Sequence, residues 1–283
     1  MMLVTIIGLG LIGGSLALEL KKRLGYTVQG IDTNNNNAQK ALELGIVDKI
    51  VDFHQITDSD VVVLAVPVNF LPDLAINVLN TIKNNAIVFD MGSTKEKLSK
   101  TVENHEKRTN FVAVHPIAGT EHSGPEAAIY NLFDDKVNII CDKGLSSKKA
   151  VDKVLHIFNA LNMRTIFMNS AEHDKHIAYV SHLSHISSFM LGKTVLEKEK
   201  NEKNIFDMAG SGFESTVRLA KSSPNMWTPI FIENKENILS SLNEYIDNLT
   251  AFKNLIIEEN KEGLQKTMLE TNHIKEVLKG IQK

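Results

Sequence analysis

Hydrophobic runs of strand length alternate with segments of helical periodicity over the first 168 residues. The strand-like runs fall at 3–7, 27–31, 46–51, 61–66, 86–90 and 111–114. Strands that alternate with helices are typical of a parallel sheet with helices on both faces. Two further runs, 137–141 and 164–168, flank a helical segment, and we expect them to extend the same sheet.

After residue 168 only helical periodicity remains, with breaks near 210–212 and 222–224. We therefore predict an α/β domain over residues 1–168, a Rossmann-type doubly wound parallel sheet, followed by an all-helical domain over residues 169–283. The long helices of the second domain are too elongated to bury their apolar faces alone. We expect them to form a homodimer.

Composition and charge narrow the class of protein. The chain has 283 residues and a net charge of −3, so it offers no basic field for nucleic acid or for an anionic membrane. No segment after the first strand is long and apolar enough to span a bilayer, and the uncharged residues 1–18 lack the cationic start of a signal peptide. Cys141 is the only cysteine, which is consistent with a reducing cytoplasm.

A glycine-rich turn joins the first strand to the first helix. Its glycines have the spacing G-x-G-x-x-G, and an aspartate closes the second strand about twenty residues later. The amides of the helix N-terminus suit a pyrophosphate, and the aspartate suits the ribose hydroxyls of NAD while repelling the 2′-phosphate of NADP. The expected NAD contacts are Gly8, Gly10, Leu11, Ile12, Gly13 and Asp32.

Ligands of a doubly wound sheet gather at the C-terminal ends of its strands. Val66 and Pro67 follow the fourth strand, and Ser93 follows the fifth, so we expect all three near the cofactor. Ser93 and Glu96 also have the spacing of a capping box for the next helix. A hydroxyl that caps a helix keeps its proton for a ligand, so the two roles are compatible.

His115 ends the sixth strand and is followed by a proline, which favours an extended backbone. That backbone directs the imidazole to the cleft. There the ring could accept the hydroxyl proton of an alcohol as hydride leaves the carbon that bears the hydroxyl. The alternative is an ordinary surface histidine. Arg218 follows a glycine turn and offers a planar fork for a carboxylate, with a surface salt bridge as the alternative.

Four histidines cluster at 173, 176, 182 and 185. Their spacing suggests a metal, but 100° per residue puts His173 and His182 on opposite faces of a helix, so we expect no metal site. Ser181 and His185 are four residues apart and share a face. We interpret them, with His173, as candidate substrate contacts.

Several motifs occur together in one order along nearly the whole chain. They are the glycine turn, the segments 90–95 (DMGSTK) and 115–121 (HPIAGTE), the pair 173–174 (HD), the segment 181–185 (SHLSH), and 210–218 followed by 224–227. Together they resemble the prephenate dehydrogenase family. The resemblance implies oxidative decarboxylation of prephenate to 4-hydroxyphenylpyruvate with reduction of NAD, in tyrosine biosynthesis.

The resemblance also implies residue roles. His115 would accept the proton of the ring hydroxyl, with Ser93 orienting that hydroxyl and the nicotinamide, and Arg218 would bind a carboxylate. Contacts to the substrate would come from Ser181, His185 and His173, and Glu121 would gate the pocket. Family members often carry an aspartate where this chain has Ser215, which puts the gating role of Glu121 and the fine placement of Arg218 in doubt.

Three alternatives stay open at this point. Arogenate dehydrogenase differs only in a substrate that bears an amine in place of the keto group, and His185 favours prephenate by resemblance. A β-hydroxyacid dehydrogenase shares the two-domain plan, but the matching glycine-flanked lysine motif is missing. A non-catalytic NAD-binding sensor would need the glycine turn and Asp32 but neither His115 nor Arg218. The sequence after Trp227 is expected to be helical, without a regulatory ACT-type domain or a fused chorismate mutase.

Overall fold

The computed structural model describes residues 2–200 and 204–281, with side chains through Lys279. Its sheet strands and first helices are β1 (Leu3–Ile7), α1 (Leu11–Leu24), β2 (Thr27–Ile31), α2 (Asn35–Glu43), β3 (Lys49–Ile50), β4 (Val61–Leu64), α3 (Leu71–Thr81), β5 (Ile87–Asp90), α4 (Glu96–Val102), β6 (Phe111–Pro116), β7 (Val137–Cys141), α5 (Lys148–Ala160) and β8 (Arg164–Met168). The later helices are α6 (Ser170–Ile177), α7 (Leu183–Glu199), α8 (Ser211–Val217), α9 (Pro224–Glu233), α10 (Lys235–Ile257), α11 (Lys261–Thr271) and α12 (Ile274–Ile281), with a π-helical turn at Ala178–His182 between α6 and α7.

The strands form one eight-stranded sheet in the order β3-β2-β1-β4-β5-β6-β7-β8. Strands β1 to β6 run parallel, in the strand order of a doubly wound dinucleotide-binding sheet, which confirms the predicted fold class. Strands β7 and β8 extend the sheet as expected, but β7 pairs with β6 antiparallel. No α-helical crossover lies between β6 and β7, and a parallel pairing would need one.

Some strands are shorter than their hydrophobic runs. The run at 46–51 contributes only Lys49–Ile50 to the sheet, because Ile46 and Val47 are buried in the core instead of pairing in the ladder. The run at 61–66 pairs only as far as Leu64, so Val66 and Pro67 lie in the loop beyond the strand.

The hydrophobic core lies on both faces of the sheet, because successive strand residues point to opposite sides. On one face, Val4 and Ile6 belong to a buried cluster with residues of α1 and α5 such as Leu16 and Phe158. On the other face, Ile7 belongs to a cluster with residues of α3 and α4, which also includes Trp227 and Ile230 of α9. Helix α9 therefore packs beside the sheet helices.

The chain divides into two compact units, Met1–Lys235 and Glu236–Lys283. The first contains the sheet and α6 to α9, and the second consists of α10 to α12 in its described part. All described elements after residue 168 are helical, as predicted, while the domain boundary between 168 and 169 stays a prediction. Within residues 2–200 and 204–281, no helix combines the length and the apolarity that crossing a membrane requires.

Candidate active site

The glycine turn after β1 brings the chain close to the neighbouring strand. Gly8 has φ of +97°, and a side chain there would place its Cβ 2.4 Å from the carbonyl oxygen of Ala65. A Cβ at Gly13 would lie 2.0 Å from the carbonyl oxygen of Gly8. At Gly10 nothing lies within 4 Å of that position, so this side of the turn has room for a phosphate.

The groups around this turn fit NAD. Helix α1 begins after Gly10 without a side-chain cap, so the first amides, including those of Leu11 and Ile12, can serve a phosphate. The Asp32 carboxylate accepts hydrogen bonds from the amides of Leu9, at 2.9 Å, and Asn34, at 2.8 Å. Those bonds hold the carboxylate beside the turn, where a ribose diol would reach its remaining lone pairs.

Val66 and Pro67 lie at the same edge of the sheet. The Val66 side chain would be 3.1 Å from a Cβ at Gly8, so Val66 borders the glycine turn, and Pro67 precedes a short 3₁₀ helix at Val68–Phe70. Ser93 is half-buried in the loop between β5 and α4. All nine predicted cofactor residues thus follow the C-terminal ends of parallel strands.

The predicted capping box of Ser93 and Glu96 is wrong. Helix α4 begins after Lys95 with no side-chain cap from its own segment. Instead, the carboxylate of Asp174 on α6 accepts the amides of Lys95, at 2.8 Å, and Glu96, at 2.9 Å. A full negative charge at a helix N-terminus is a better partner than a hydroxyl, and it leaves the Ser93 side chain out of the cap.

A buried chain of hydrogen bonds leads from His115 to the same carboxylate. His115 Nδ1 lies 2.8 Å from His173 Nε2, and His173 Nδ1 lies 2.7 Å from Asp174 Oδ1. A carboxylate only accepts, so His173 Nδ1 carries a hydrogen, and in the neutral ring Nε2 accepts from His115 Nδ1. Since Nδ1 of neutral His115 carries the hydrogen, its Nε2 carries the lone pair. His115 can therefore act as a base at that atom.

Burial keeps His115 neutral. It lowers the pKa of the imidazole well below its usual value, and His173, Lys95 and His182 lower it further because each disfavours a second positive charge nearby. A neutral histidine is the form that accepts a proton.

The helical segment after Asp174 does not follow regular α-helical geometry. The π-helical turn at Ala178–His182 lies between His173 and His182, so the constant 100° per residue that put them on opposite faces does not hold along this segment, and both residues are buried. Asn234 Nδ2 donates to the Asp174 carbonyl, at 2.7 Å, and lies 3.2 Å from His182 Nδ1. Burial lowers the pKa of His182 to about 4, so this ring is neutral as well.

The Trp227 ring lies against both His185 and His182. The rings of Trp227 and His185 stack with centroids 3.5 Å apart, and Trp227 also meets the His182 ring edge to face at 5.9 Å. His185 Nδ1 donates to the Ser181 carbonyl at 2.9 Å. Burial lowers the pKa of His185, although the Ser181 carbonyl opposes this shift, and the charge of Arg218 adds to it. Ser181 thus fixes the ring through its backbone.

Arg218 and Glu121 are both exposed, on different elements. Arg218 begins the 3₁₀ helix Arg218–Lys221, and Glu121 lies in the loop after β6. A hydrogen bond from its own backbone lowers the pKa of the Glu121 carboxyl, and the charges of His122, Arg218 and Lys221 lower it further. The Ser215 hydroxyl donates to the Gly212 carbonyl at 2.9 Å, so it takes no part in this charge network.

Sequence reasoning missed four supporting residues, namely Asp90, Lys95, Asp174 and Asn234. The side chains of Asp90 and Lys95 form an ion pair with no exposed surface, and Asp174 is 2% exposed. For Asp90 the available signal was a charge that closes an apolar run, and for Asp174 it was a charge directly beside a candidate histidine. Within the described residues, no group of three or more His, Cys, Asp or Glu is arranged to hold a metal.

Comparisons with known proteins agree along the chain. The sequence profile described as "Prephenate dehydrogenase, nucleotide-binding domain" matches residues 16–167, and the one described as "Prephenate dehydrogenase, dimerization domain" matches residues 169–270. The chain is 31% identical over 269 residues to the prephenate dehydrogenase of Bacillus subtilis, which covers 91% of this chain and 71% of that protein.

Two solved structures are similar over nearly the whole length. The prephenate dehydrogenase from Aquifex aeolicus, in complex with hydroxyphenyl propionate and NAD+, superposes with a TM-score of 0.90 at 33% identity, covering 98% of each chain. The arogenate dehydrogenase of Synechocystis superposes with a TM-score of 0.80 at 25% identity, covering 98% of this chain and all of that one (100%).

Asp174 bridges the first amides of α4 and the His173 ring, so we expect its replacement to lower the stability of the fold. Replacing it as Asp174→Asn keeps the shape but turns one acceptor into a donor, which leaves a buried amide or ring nitrogen facing another donor. We expect the free energy of unfolding to fall by about 1–3 kcal/mol, measured by urea denaturation.

Asp152→Asn is the matched control, because Asp152 is an exposed carboxylate in an i,i+4 pair with Lys148. We expect that variant to change the unfolding free energy by less than about 0.5 kcal/mol. Equal stability of wild type and Asp174→Asn would contradict the bridging role.

Proposed function

This chain belongs to the prephenate dehydrogenase family, and on that premise we propose that it converts prephenate to 4-hydroxyphenylpyruvate and CO₂ while reducing NAD. The observation that carries the proposal is the hydrogen-bonded chain from Asp174 through His173 to His115. It presents a neutral imidazole at the end of a strand of a dinucleotide-binding sheet. A sensor that only bound NAD would not need it.

His115 is the base in this proposal. Its Nε2 accepts the proton of the ring hydroxyl as hydride leaves the carbon that bears this hydroxyl. The positive charge that develops on His115 is shared through His173 toward Asp174, whose carboxylate is already fixed by the amides of Lys95 and Glu96. A preorganised carboxylate of this kind stabilises the imidazolium without having to reorient. His173 acts through His115, since its own ring is 1% exposed.

When bound, NAD supplies the hydride acceptor. The turn at Gly8, Gly10 and Gly13 would hold its pyrophosphate and Asp32 its ribose, which favours NAD over NADP. Ser93, outside the helix cap, is available to orient the hydroxyl and the nicotinamide. The carboxylate on the ring leaves as CO₂, and the proton held by His115 returns to the phenolic oxygen, so that aromatisation drives the reaction without net release of a proton.

Arg218 binds a substrate carboxylate in this proposal, and Ser181 and His185 contact the substrate side chain. The guanidinium suits this role because it lies on an exposed turn, and Ser215 puts no negative charge beside it. Glu121 gates the pocket from the loop after β6. The electrostatic influence of Arg218 and Lys221 on its carboxyl supports that placement.

One observation favours arogenate as a second substrate. The Ser181 carbonyl holds a hydrogen on His185 Nδ1, and the lowered pKa of His185 keeps the ring neutral, so Nε2 offers a lone pair. A lone pair suits the ammonium group of arogenate, whereas the keto oxygen of prephenate needs a donor. The likeness to an arogenate dehydrogenase is in line with this reading.

We also propose that residues 169–283 form the domain through which two copies associate. Support comes from the matching profile described as a dimerization domain and from α10. On that helix Leu239, Ile246, Leu249 and Ile256 are exposed and recur at spacings of seven and three residues. Such spacing places them on one face, as a second helix would require.

An assay of the purified protein with both substrates and both cofactors tests the function. We expect NADH to form with NAD and prephenate, with little signal from NADP, and His115→Asn to lower kcat by about 10²–10⁴-fold at unchanged NAD affinity. Turnover of arogenate alone would select the second substrate. No turnover of either substrate, or near-normal turnover by His115→Asn, would contradict the proposal.

The pH dependence follows from the state of His115. It must be neutral to accept a proton, and burial lowers its pKa well below 6.5. We therefore expect kcat to be level through neutral pH and to fall only as pH drops through that lowered pKa. Initial rates across a pH series measure this limb. A limb centred at or above the ordinary histidine pKa would contradict the assignment.

A change on the exposed face of α10 tests the association. Leu249→Glu puts a charge in the centre of that face, and we expect it to convert the dimer to a monomer in light scattering coupled to gel filtration. Leu145→Glu is the control, since Leu145 is also an exposed leucine but lies in the 3₁₀ helix Lys143–Leu145 after β7, outside residues 169–283. A monomeric wild type, or a dimer in both variants, would contradict the proposal.

A further inference from the structure

The ladder between β5 and β6 ends early. These strands pair only at Val88 with Phe111 and at Phe89 with Val112. From Ala113 onward β6 continues to pair with β7 on its other side. The main-chain groups of Val114 point in the same direction as those of Val112, so they face β5 with no strand partner there.

Two buried side chains take the place of the missing ladder. Asp90 Oδ1 accepts the amide of Val114 at 3.1 Å, and Lys95 Nζ donates to the Val114 carbonyl at 2.7 Å. Lys95 Nζ also donates to Asp90 Oδ2, which accepts the amide of Gly92 at 2.9 Å. Both side chains have no exposed surface.

A buried ion pair carries a large desolvation cost when it serves only to satisfy the main-chain amide and carbonyl of one residue. Removing two charges from water costs about as much as their attraction returns, so such a pair is weak evidence for stability. Two more ladder bonds would satisfy Val114 without any buried charge. The pair therefore has a geometric rather than an energetic advantage: it spans a gap that a ladder would close.

We propose that Asp90 and Lys95 are positioning residues that hold the end of β6 apart from β5. On the β5 side of this gap, Ser93 lies in the loop between Asp90 and Lys95, and on the β6 side, His115 directly follows Val114. This inference rests on the proposed function in one respect, namely that Ser93 and His115 flank the reacting atoms. The pair touches neither substrate nor cofactor, and acts by fixing the distance between those two side chains.

Two variants test the proposal. Lys95→Met removes the bond to the Val114 carbonyl, and the double variant Asp90→Asn with Lys95→Met does so without leaving an unpaired buried carboxylate. We expect kcat to fall by about a hundredfold in both, because a shift of about 1 Å in a reacting group costs that much. The NAD dissociation constant and the KM for substrate should stay within about threefold of wild type, since neither binding surface is altered.

Arg23→Met is the matched control. Arg23 pairs with the buried Glu19 in the last turns of α1, so its loss also removes the cation that neutralises a buried carboxylate. We expect it to lower the melting temperature with kcat within about twofold of wild type. A double variant that folds, binds NAD normally and keeps kcat within about threefold would overturn the proposal, as would a loss confined to KM.

A crystal structure of the double variant gives a readout that does not depend on turnover. We expect Val114 to move toward β5 and the separation of Ser93 and His115 to change. An unchanged separation would overturn the positioning role even if the wild type proved inactive with prephenate and arogenate. Inactive wild type with a changed separation would instead overturn the proposed function alone.

Discussion

The structure of the site depends on one buried carboxylate. Asp174 accepts from the His173 ring and from the amides that begin α4, and its main-chain carbonyl accepts from Asn234 of the α9 end. Its side chain thus joins α4, which packs on the sheet, to α6, which follows the last strand. The residue lies beyond the predicted boundary at 168/169, and its bonds across that point explain why α6 to α9 group with the sheet in one compact unit. A carboxylate with this many donors is costly to displace.

That fixed charge orders a set of neutral rings around it. His115 and His182 are buried, and their pKa values are lowered chiefly by burial, so the site holds several imidazoles without accumulating positive charge. Neutral rings have one donor and one acceptor nitrogen each, and the carboxylate decides which is which for His173 and, through it, for His115. Asp174 is the one member that can only accept, so it sets the direction of donation in the hydrogen bonds from His115 through His173.

Sequence alone predicted the sheet, the helical second half and the cofactor turn, because these depend on local periodicity and on glycine spacing. It also selected His115 and His173 as candidate site residues, because strand ends and motifs mark them. It did not select the residues that hydrogen-bond to them or support them. The cap of α4 comes from Asp174, 78 residues away in the chain, and the Asp90 and Lys95 pair matters only because β6 leaves β5 at Val114. Contacts that exist only once the sheet has formed leave no periodic trace in the sequence.

The π-helical turn shows how a single local irregularity can decide what a segment does. In a regular helix, a separation of nine positions puts the rings of His173 and His182 on opposite faces. The wider turn at Ala178–His182 changes that phase, so His173 faces His115 while His182 meets Asn234 and Trp227 in the same buried region. His185 then follows one turn later against Trp227. A helical wheel fails here because it assumes one constant angle per residue. Single π-helical turns within α-helices are frequent at functional sites. The segment with the four histidines is therefore best described as two helical stretches, α6 and α7, whose phases are set relative to each other by the π-helical turn.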